Sequence, residues 1–212
     1  GCWPPDIASG LLQVDSLVKR YTRGLFRGQP TFVLEADFVI DAPTVVGVMG
    51  PNGSGKTTLF ELMTGSNLPS AGRVAIAGQD VHRVRYRERD RLAIHYHQSY
   101  QVRAFRRTRP SFMLERARSA SPQVHLFDEP QFSAQDGYIG FMLDFFRRLR
   151  DRGRLVFLCL HPNEPYHLDI LRESCERFIF VEQGKLTHAP DFAALVRVPA
   201  VVRYLGRLAP PL

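Results

Sequence analysis

A glycine-rich segment with a single lysine, "GPNGSGKTT" at residues 50–58, has the residue types and spacing that bind phosphate. It follows an apolar, strand-like stretch and leads into a helical pattern, which is the context that such a loop requires. Glycines let the backbone curve so that successive N–H groups point at phosphate oxygens, and the helix N-terminus adds partial positive charge. We expect Lys56 to reach the β and γ phosphates of a nucleoside triphosphate and Thr57 to offer its hydroxyl to Mg²⁺. The expected nucleotide-binding residues in this loop are Asn52, Gly53, Ser54, Gly55, Lys56, Thr57 and Thr58.

Two adjacent carboxylates, Asp128 and Glu129, end the apolar segment "VHLFDEP" at residues 124–130. We expect this segment to be a strand beside the strand that carries the phosphate loop. An acidic residue at the carboxyl end of such a strand can bind Mg²⁺ through water, and a neighbouring carboxylate can polarise an attacking water. Asp128 is therefore a candidate metal ligand, whereas His125, inside the strand, is expected to be a core residue.

The elements that must position these residues alternate between strand and helix patterns. Strands are expected at residues 11–14, 31–40, 44–49, 73–77, 93–96, 124–127, 155–160 and 178–181, and helices at residues 56–63, 111–120, 138–150, 166–175, 192–196 and 201–205. The alternation in the second half predicts an α/β fold, in which helices flank a mostly parallel sheet and an antiparallel β section precedes it.

Composition indicates a globular protein of one domain over residues 1–212, with 44% hydrophobic and 23% charged residues. Apolar runs are strand-sized and the first residues lack the pattern of a secretory signal, so we expect a cytosolic setting. The three cysteines are too irregularly spaced for a disulfide framework or a zinc site, and we expect reduced thiols. The net charge of +7 suits an anionic partner but is weak support for one.

With the phosphate loop and the acidic pair, the chain resembles the nucleotide-binding subunit of the ATP-binding cassette (ABC) ATPases, whose core is a P-loop NTPase fold. Gln98, in "IHYHQ", corresponds to the family's Q-loop glutamine, which contacts Mg²⁺ and the attacking water. His161, after "LVFLCL", falls at the switch histidine that holds the γ phosphate, and Tyr21 is placed like the aromatic residue on which adenine stacks. The segment "SAQD" at residues 133–136 resembles the D-loop, with one extra residue before it.

The same resemblance assigns catalytic roles. It implies that Glu129 is the general base, that His161 and Gln98 complete the catalytic set, and that Thr57, Gln98 and Asp128 organise the metal. The implied cofactors are ATP and Mg²⁺.

Two features depart from the family pattern. The signature Leu-Ser-Gly-Gly-Gln is replaced by "AFRRT" at residues 104–108, so backbone donation to a phosphate across a dimer is lost, although arginine charge can partly substitute. Only residues 99–103 separate this segment from Gln98, where family members insert a helical subdomain. The resemblance therefore implies a reduced cassette without much of the groove that receives a permease.

The resemblance implies a Mg²⁺-dependent ATPase that acts as the cytosolic motor of an ABC transporter. It would pair with a second cassette and with an integral membrane permease, in the cytoplasm or at the inner face of the cell membrane. Two alternatives remain open: a soluble ABC ATPase that acts on nucleic acid, and a regulatory nucleotide-binding subunit with weak hydrolysis. The arginine-rich segment at residues 83–118 suits RNA or an anionic lipid surface, but a solvated face in an arginine-biased chain explains it more simply.

Overall fold

The computed structural model describes residues 11–22, 30–96, 122–130 and 138–210, which form two β-sheets and the helices that pack on them. Some sequence predictions fall outside these ranges: Cys2, Gln98, residues 104–108, the helix expected at 111–120 and residues 133–136. Within the described ranges no helix has the length and apolar character needed to cross a membrane.

The described strands are β1 (Leu12–Thr22), β2 (Pro30–Ile40), β3 (Val45–Met49), β4 (Ala71–Ile76), β5 (Gln79–Asp80), β6 (Ala93–Tyr96), β7 (Val124–Asp128), β8 (Leu155–Cys159), β9 (Arg177–Glu182) and β10 (Lys185–Ala189). The described helices are α1 (Lys56–Thr64), α2 (Tyr86–Leu92), α3 (Tyr138–Asp151), α4 (Pro165–Ser174), α5 (Phe192–Leu195) and α6 (Pro199–Leu205), and a 3₁₀ turn follows at Gly206–Leu208.

The strands divide as the sequence predicts, into an antiparallel sheet and a mostly parallel one. The antiparallel sheet has the order β2-β1-β4-β5. The larger sheet has the order β10-β9-β3-β8-β7-β6, in which β10 is antiparallel to β9 and the other neighbours are parallel. The predicted α/β class is confirmed.

One prediction about the sheet is wrong. The strand that ends in Asp128 does not lie beside the phosphate-loop strand, because β8 is hydrogen-bonded to both β3 and β7 and separates them. The carboxyl ends of all three parallel strands still meet at one edge of the sheet. The segment that carries His161 follows β8, so the intervening strand brings a third functional segment to that edge.

The core lies on both faces of the larger sheet, and alternation along each strand decides which side chain faces which layer. Val46 and Val48 point to one face, where α1 and the antiparallel sheet pack, and Val45 and Met49 point to the other, where α3, α4 and α6 pack. These strand residues are almost completely buried. Parallel strands that are covered on both faces need apolar residues at every position, which explains the near-continuous apolar runs.

Three elements were not predicted. Helix α2 buries only Leu92 and consists mainly of charged residues, so it lacks an apolar period. Strand β5 has two residues. Strand β10 follows a tight turn in which Gln183 and Gly184 both have positive φ (49° and 75°), as hairpin turns of the I′ type require.

Candidate nucleotide site

The phosphate loop lies between β3 and α1 and is held close to β9 and the β9–β10 turn. A Cβ atom on Gly50 would lie 2.0 Å from the carbonyl oxygen of Val181, so only glycine allows this approach. The Gly184 N–H donates to the carbonyl oxygen of Ser54 at 2.9 Å, and the Ser54 N–H donates to that of Pro51 at 3.2 Å. Backbone hydrogen bonds therefore hold the loop both internally and against the β9–β10 turn.

Lys56 is the first residue of α1 and is buried, with 6% of its surface exposed. Its Nζ donates to the carbonyl oxygens of Gly50 (2.5 Å) and Pro51 (2.9 Å), so the ammonium group is held over the loop. The N-cap residue of α1 is Gly55, which adopts a left-handed conformation and supplies no side-chain cap. An uncapped N-terminus directs its backbone N–H groups and the positive end of the helix dipole at the loop.

The buried hydroxyl of Ser54 gives a direct test of whether this loop suits an anion. Its Oγ has no hydrogen-bond partner within the described part of the chain. A buried polar group of this kind is costly unless a ligand or water satisfies it. Together with Lys56 and the helix N-terminus, this hydroxyl suits a phosphate group.

Thr57 and Asp128 come together although their strands are not neighbours. Thr57 Oγ1 donates to Asp128 Oδ2 at 3.0 Å, so the first turn of α1 reaches the end of β7 although β8 lies between β3 and β7. A hydroxyl and a carboxylate are the hard oxygen ligands that Mg²⁺ prefers, so these two residues suit that ion. In the described ranges there is no cluster of three or more His, Cys, Asp or Glu side chains that could hold a metal, so a metal here would depend on these oxygens and on phosphate.

His95, on β6, also contacts Asp128 and was missed by sequence reasoning. Its Nε2 lies 3.0 Å from Asp128 Oδ2, and its ring packs edge-on against Phe60 at 5.5 Å between centroids. An ionised carboxylate only accepts hydrogen bonds, so Nε2 is the donor and fixes the orientation of the carboxylate. The available signal was that His95 is the penultimate residue of β6, close to the carboxyl end of its strand as Asp128 is.

Glu129 has the left-handed backbone conformation that is uncommon for a residue with a side chain, with φ at 49°. Its N–H donates to the carbonyl oxygen of Cys159 at 2.9 Å, which holds the turn in place. Its half-buried side chain lines a cavity of about 290 Å³ together with Lys56 and Thr57. Strained conformations of this kind often occur at functional sites, and here the turn places the carboxylate in the cavity.

Two aromatic residues form the other wall of that cavity. Tyr21 is 38% exposed, and its ring centroid lies 6.2 Å from that of Phe32. The Tyr21 hydroxyl accepts a hydrogen bond from Asn67 Nδ2 at 2.9 Å, and Lys19 Nζ lies 5.2 Å from the ring centroid. Phe32 packs close to the loop at Gly55 and was missed by sequence reasoning. The pair offers an apolar surface beside the phosphate loop, which a nucleobase could contact.

His161 lies two residues beyond β8 and is partly buried. Its Nδ1 lies 2.9 Å from the hydroxyl oxygen of Tyr204, on α6, and the two ring centroids are 5.9 Å apart. The sequence predicted the helix at residues 201–205, which carries Tyr204. It gave no indication that this side chain reaches the nucleotide site.

Burial sets the protonation of two groups below the phosphate loop. Burial, and then the charge of Asp128, raises the pKa of the Cys159 thiol well above its usual value. Burial is the largest cause that raises the pKa of the Tyr204 hydroxyl, and the acidic groups of Cys159 and Glu129 nearby add to it. Both groups are neutral at pH 7. The carboxylates of Asp128 and Glu129 thus provide the negative charge at this edge of the sheet.

His125 behaves as the sequence predicted, as a core residue. It is 1% exposed, its Nδ1 is 3.1 Å from the Tyr96 hydroxyl, and its Nε2 is 3.4 Å from Arg154 Nη1. It therefore belongs to a buried polar network behind the site.

Sequence comparison connects this site to known proteins. A model of the family described as "ABC transporter" matches residues 34–112. The lipopolysaccharide export system ATP-binding protein LptB of Acidithiobacillus ferridurans is 35% identical over 88 residues, which are 42% of this chain and 34% of that protein. The cytochrome c biogenesis ATP-binding export protein CcmA of Escherichia coli O157:H7 is 42% identical over 77 residues, 36% of this chain and 34% of that protein. The matched part therefore spans about a third of each of these relatives.

Solved structures show the same fold over most of the chain. The ATP-binding subunit of an ABC transporter superposes with a TM-score of 0.65 at 17% identity, covering 94% of this chain and all of the other. A dimeric ATP-binding cassette in a post-hydrolysis state with ADP and Pi gives 0.62 at 15% identity, covering 84% of this chain and 98% of that chain. The chain is thus similar to ABC ATP-binding subunits in sequence over residues 34–112, and it shares the fold of solved ATP-binding cassettes over most of its length.

Proposed function

We propose that the chain binds ATP with Mg²⁺, hydrolyses it, and serves as the cytosolic nucleotide-binding motor of an ABC transporter. The observation that carries this proposal is that Lys56, Thr57 and Glu129 line one small cavity and that Thr57 is hydrogen-bonded to Asp128. Each group matches one need of phosphoryl transfer to water: charge for the phosphates, oxygen ligands for the metal, and a base for the water. The names of the sequence relatives support the transport role.

Each residue of the site has one role in ATP binding or hydrolysis. Lys56 and the backbone N–H groups at the start of α1 bind the β and γ phosphates, and the ring of Tyr21 contacts the adenine. Thr57 and Asp128 would hold Mg²⁺, which would supply positive charge to stabilise the transferring phosphoryl group. Glu129 accepts the proton of the attacking water. His161 donates a hydrogen bond to the γ phosphate.

Gln98 lies outside the described residues. Our proposal that it contacts the metal and the attacking water rests on its position in the sequence.

A partner cassette is part of the proposal. In the family resemblance each phosphate loop is completed by the signature of a second cassette, and residues 104–108 of this chain, "AFRRT", do not have that sequence. We therefore propose an asymmetric pair, in which a partner with an intact signature completes the site of Lys56 and Glu129. A permease would hold the pair at the inner face of the cell membrane.

The nucleic-acid alternative gains little from the described part of the arginine-rich segment. Arg83 pairs with Asp80 at 3.6 Å, and Arg89 donates to the Gly65 carbonyl oxygen at 2.8 Å. Glu88 and Asp90 lie among these arginines on α2. This part of the segment thus carries charges of both signs, and two of its arginines already have partners within the protein.

Substitution of the base tests the hydrolytic part of the proposal. In Glu129→Gln, single-turnover hydrolysis of labelled ATP should fall by about 10²- to 10⁴-fold, while the Kd for ATP changes little, because the amide keeps the size of the side chain but cannot accept the proton. Glu173→Gln, a matched change on the exposed face of α4, should behave as wild type. Unchanged hydrolysis in Glu129→Gln would refute the assignment.

The asymmetric pair has its own test. The isolated chain should bind ATP but turn it over slowly, and addition of a cassette with an intact signature should accelerate turnover. Fast, Glu129-dependent turnover by the isolated chain would contradict the pair.

A further inference from the structure

Tyr204 connects the last described helix to the phosphate-loop edge of the sheet. Its ring lies between those of Phe180 and His161, with centroid distances of 5.6 Å and 5.9 Å. On the same helix, α6, Val201 and Leu205 are buried in the core and anchor the backbone. The phenol is thus held in one place by packing, and its hydroxyl oxygen lies 2.9 Å from His161 Nδ1.

The Tyr204 hydroxyl is also close to the start of the phosphate loop, where the backbone of Gly50 lowers the pKa of Tyr204 against the larger effect of burial. Because burial raises this pKa, the phenol keeps its proton at pH 7. That proton is available for the bond to His161.

The direction of the bond to His161 decides what the imidazole can do. A neutral imidazole has one donor nitrogen and one acceptor nitrogen, and the bond made by one nitrogen fixes the role of the other. If Tyr204 donates to Nδ1, the proton of His161 is on Nε2. The nitrogen on the opposite side of the ring is then a donor, as an interaction with a phosphate oxygen requires.

We propose that Tyr204 is a positioning residue: its hydroxyl donates to His161 Nδ1 and holds the imidazole as the Nε2–H tautomer, ready to donate to the terminal phosphate. This inference rests on the proposed role of His161 in ATP hydrolysis. It adds Tyr204, a residue of α6 that lies 43 positions from His161 in the chain, to the residues of the nucleotide site.

Tyr204→Phe tests the bond while keeping the ring that packs on Phe180 and His161. In ¹⁵N-histidine NMR spectra of the whole chain without nucleotide, His161 should be the Nε2–H tautomer in wild type and a mixture with the Nδ1–H tautomer in the variant. Single-turnover hydrolysis should fall about 3- to 10-fold, the change expected for loss of one neutral hydrogen bond, with the Kd for ATP unchanged. Tyr86→Phe makes the same chemical change at an 83% exposed position on α2 and should leave both readouts unchanged.

Two results would overturn the inference: the same His161 tautomer in wild type and in Tyr204→Phe, or hydrolysis in Tyr204→Phe equal to that of Tyr86→Phe. A melting temperature for each variant separates loss of the bond from loss of folding. His161→Ala separates this inference from the proposed function. Wild-type hydrolysis in that variant refutes the role of His161 itself, whereas the tautomer measurement needs no nucleotide and judges the Tyr204 bond alone.

Discussion

A methyl group on Gly184 should disconnect the phosphate loop from its support. Gly184 lies in the β9–β10 turn, where its N–H donates to the Ser54 carbonyl oxygen at 2.9 Å and its own carbonyl oxygen accepts from the Glu35 N–H at 2.8 Å. Its φ of 75° is left-handed, and a Cβ atom would lie 1.8 Å from the carbonyl oxygen of Val33. That atom is backbone, so the turn itself must move to accommodate alanine.

The cost of Gly184→Ala follows from these contacts. The left-handed conformation costs a residue with a Cβ about 1–2 kcal/mol. Movement of the turn weakens two backbone hydrogen bonds, at about 1 kcal/mol each. The free energy of unfolding should therefore fall by about 3–4 kcal/mol, which for a protein of this size lowers Tm by about 6–16 °C. Because the turn holds Ser54, the Kd for ATP should also rise, by about tenfold.

Gly78→Ala is the matched control, because Gly78 has nearly the same φ, 76°, and its Cβ would meet nothing within 4 Å. The free energy of unfolding of Gly78→Ala should fall only by the cost of the left-handed conformation, about 1–2 kcal/mol. Its affinity for ATP should equal that of wild type. Differential scanning calorimetry and ATP titration compare the two variants. Equal losses of Tm and equal ATP affinities would show that the contacts of Gly184 do not support the loop.

Three further predictions concern the site and the core. Thr57→Val should remove the dependence of ATP affinity on Mg²⁺, because the hydroxyl that contacts Asp128 is lost; calorimetric titrations with and without Mg²⁺ measure this, and an unchanged dependence would contradict it. Phe32→Leu should weaken ATP binding several-fold but leave the binding of inorganic triphosphate unchanged, because we expect the ring, which packs beside Tyr21, to contact the base and not the phosphates. Burial raises the pKa of Cys175 to about 12, so the folded thiol stays neutral above pH 8.5 while the unfolded thiol ionises. The free energy of unfolding should therefore fall as pH rises from about 8.5, and less steeply in Cys175→Ala; parallel slopes in urea titrations would refute this.

The features that are clearest in the sequence are local ones. The phosphate loop is a contiguous strand, loop and helix, and its glycines and Lys56 identify it without reference to the rest of the chain. The carboxylates of Asp128 and Glu129 are recognisable for the same reason, because they follow directly on a buried strand. Alternating strand and helix patterns predicted the α/β class, since buried parallel strands need apolar residues on both faces.

The features that sequence reasoning missed depend on contacts between distant segments. No local pattern specifies that β8 lies between β3 and β7, because pairing order is decided by how the connecting helices pack. Tyr204 contacts His161 from a helix 43 positions away in the chain. His95 contacts Asp128 from the neighbouring strand, since β6 pairs with β7. Strand β10 is the exception, since the Gln183–Gly184 turn was a local signal that could have been used.

The most direct test of the central claim is equilibrium binding of ATP, measured by calorimetry with Mg²⁺ present, to wild type and to Lys56→Ala. The buried ammonium group is positioned over the loop by Gly50 and Pro51, so it is available to bind phosphate. Wild type should bind one ATP per chain, and Lys56→Ala should bind it roughly 10- to 150-fold more weakly, as expected for loss of a hydrogen bond from a charged group. Equal affinities in the two proteins, or no binding to wild type, would contradict the account.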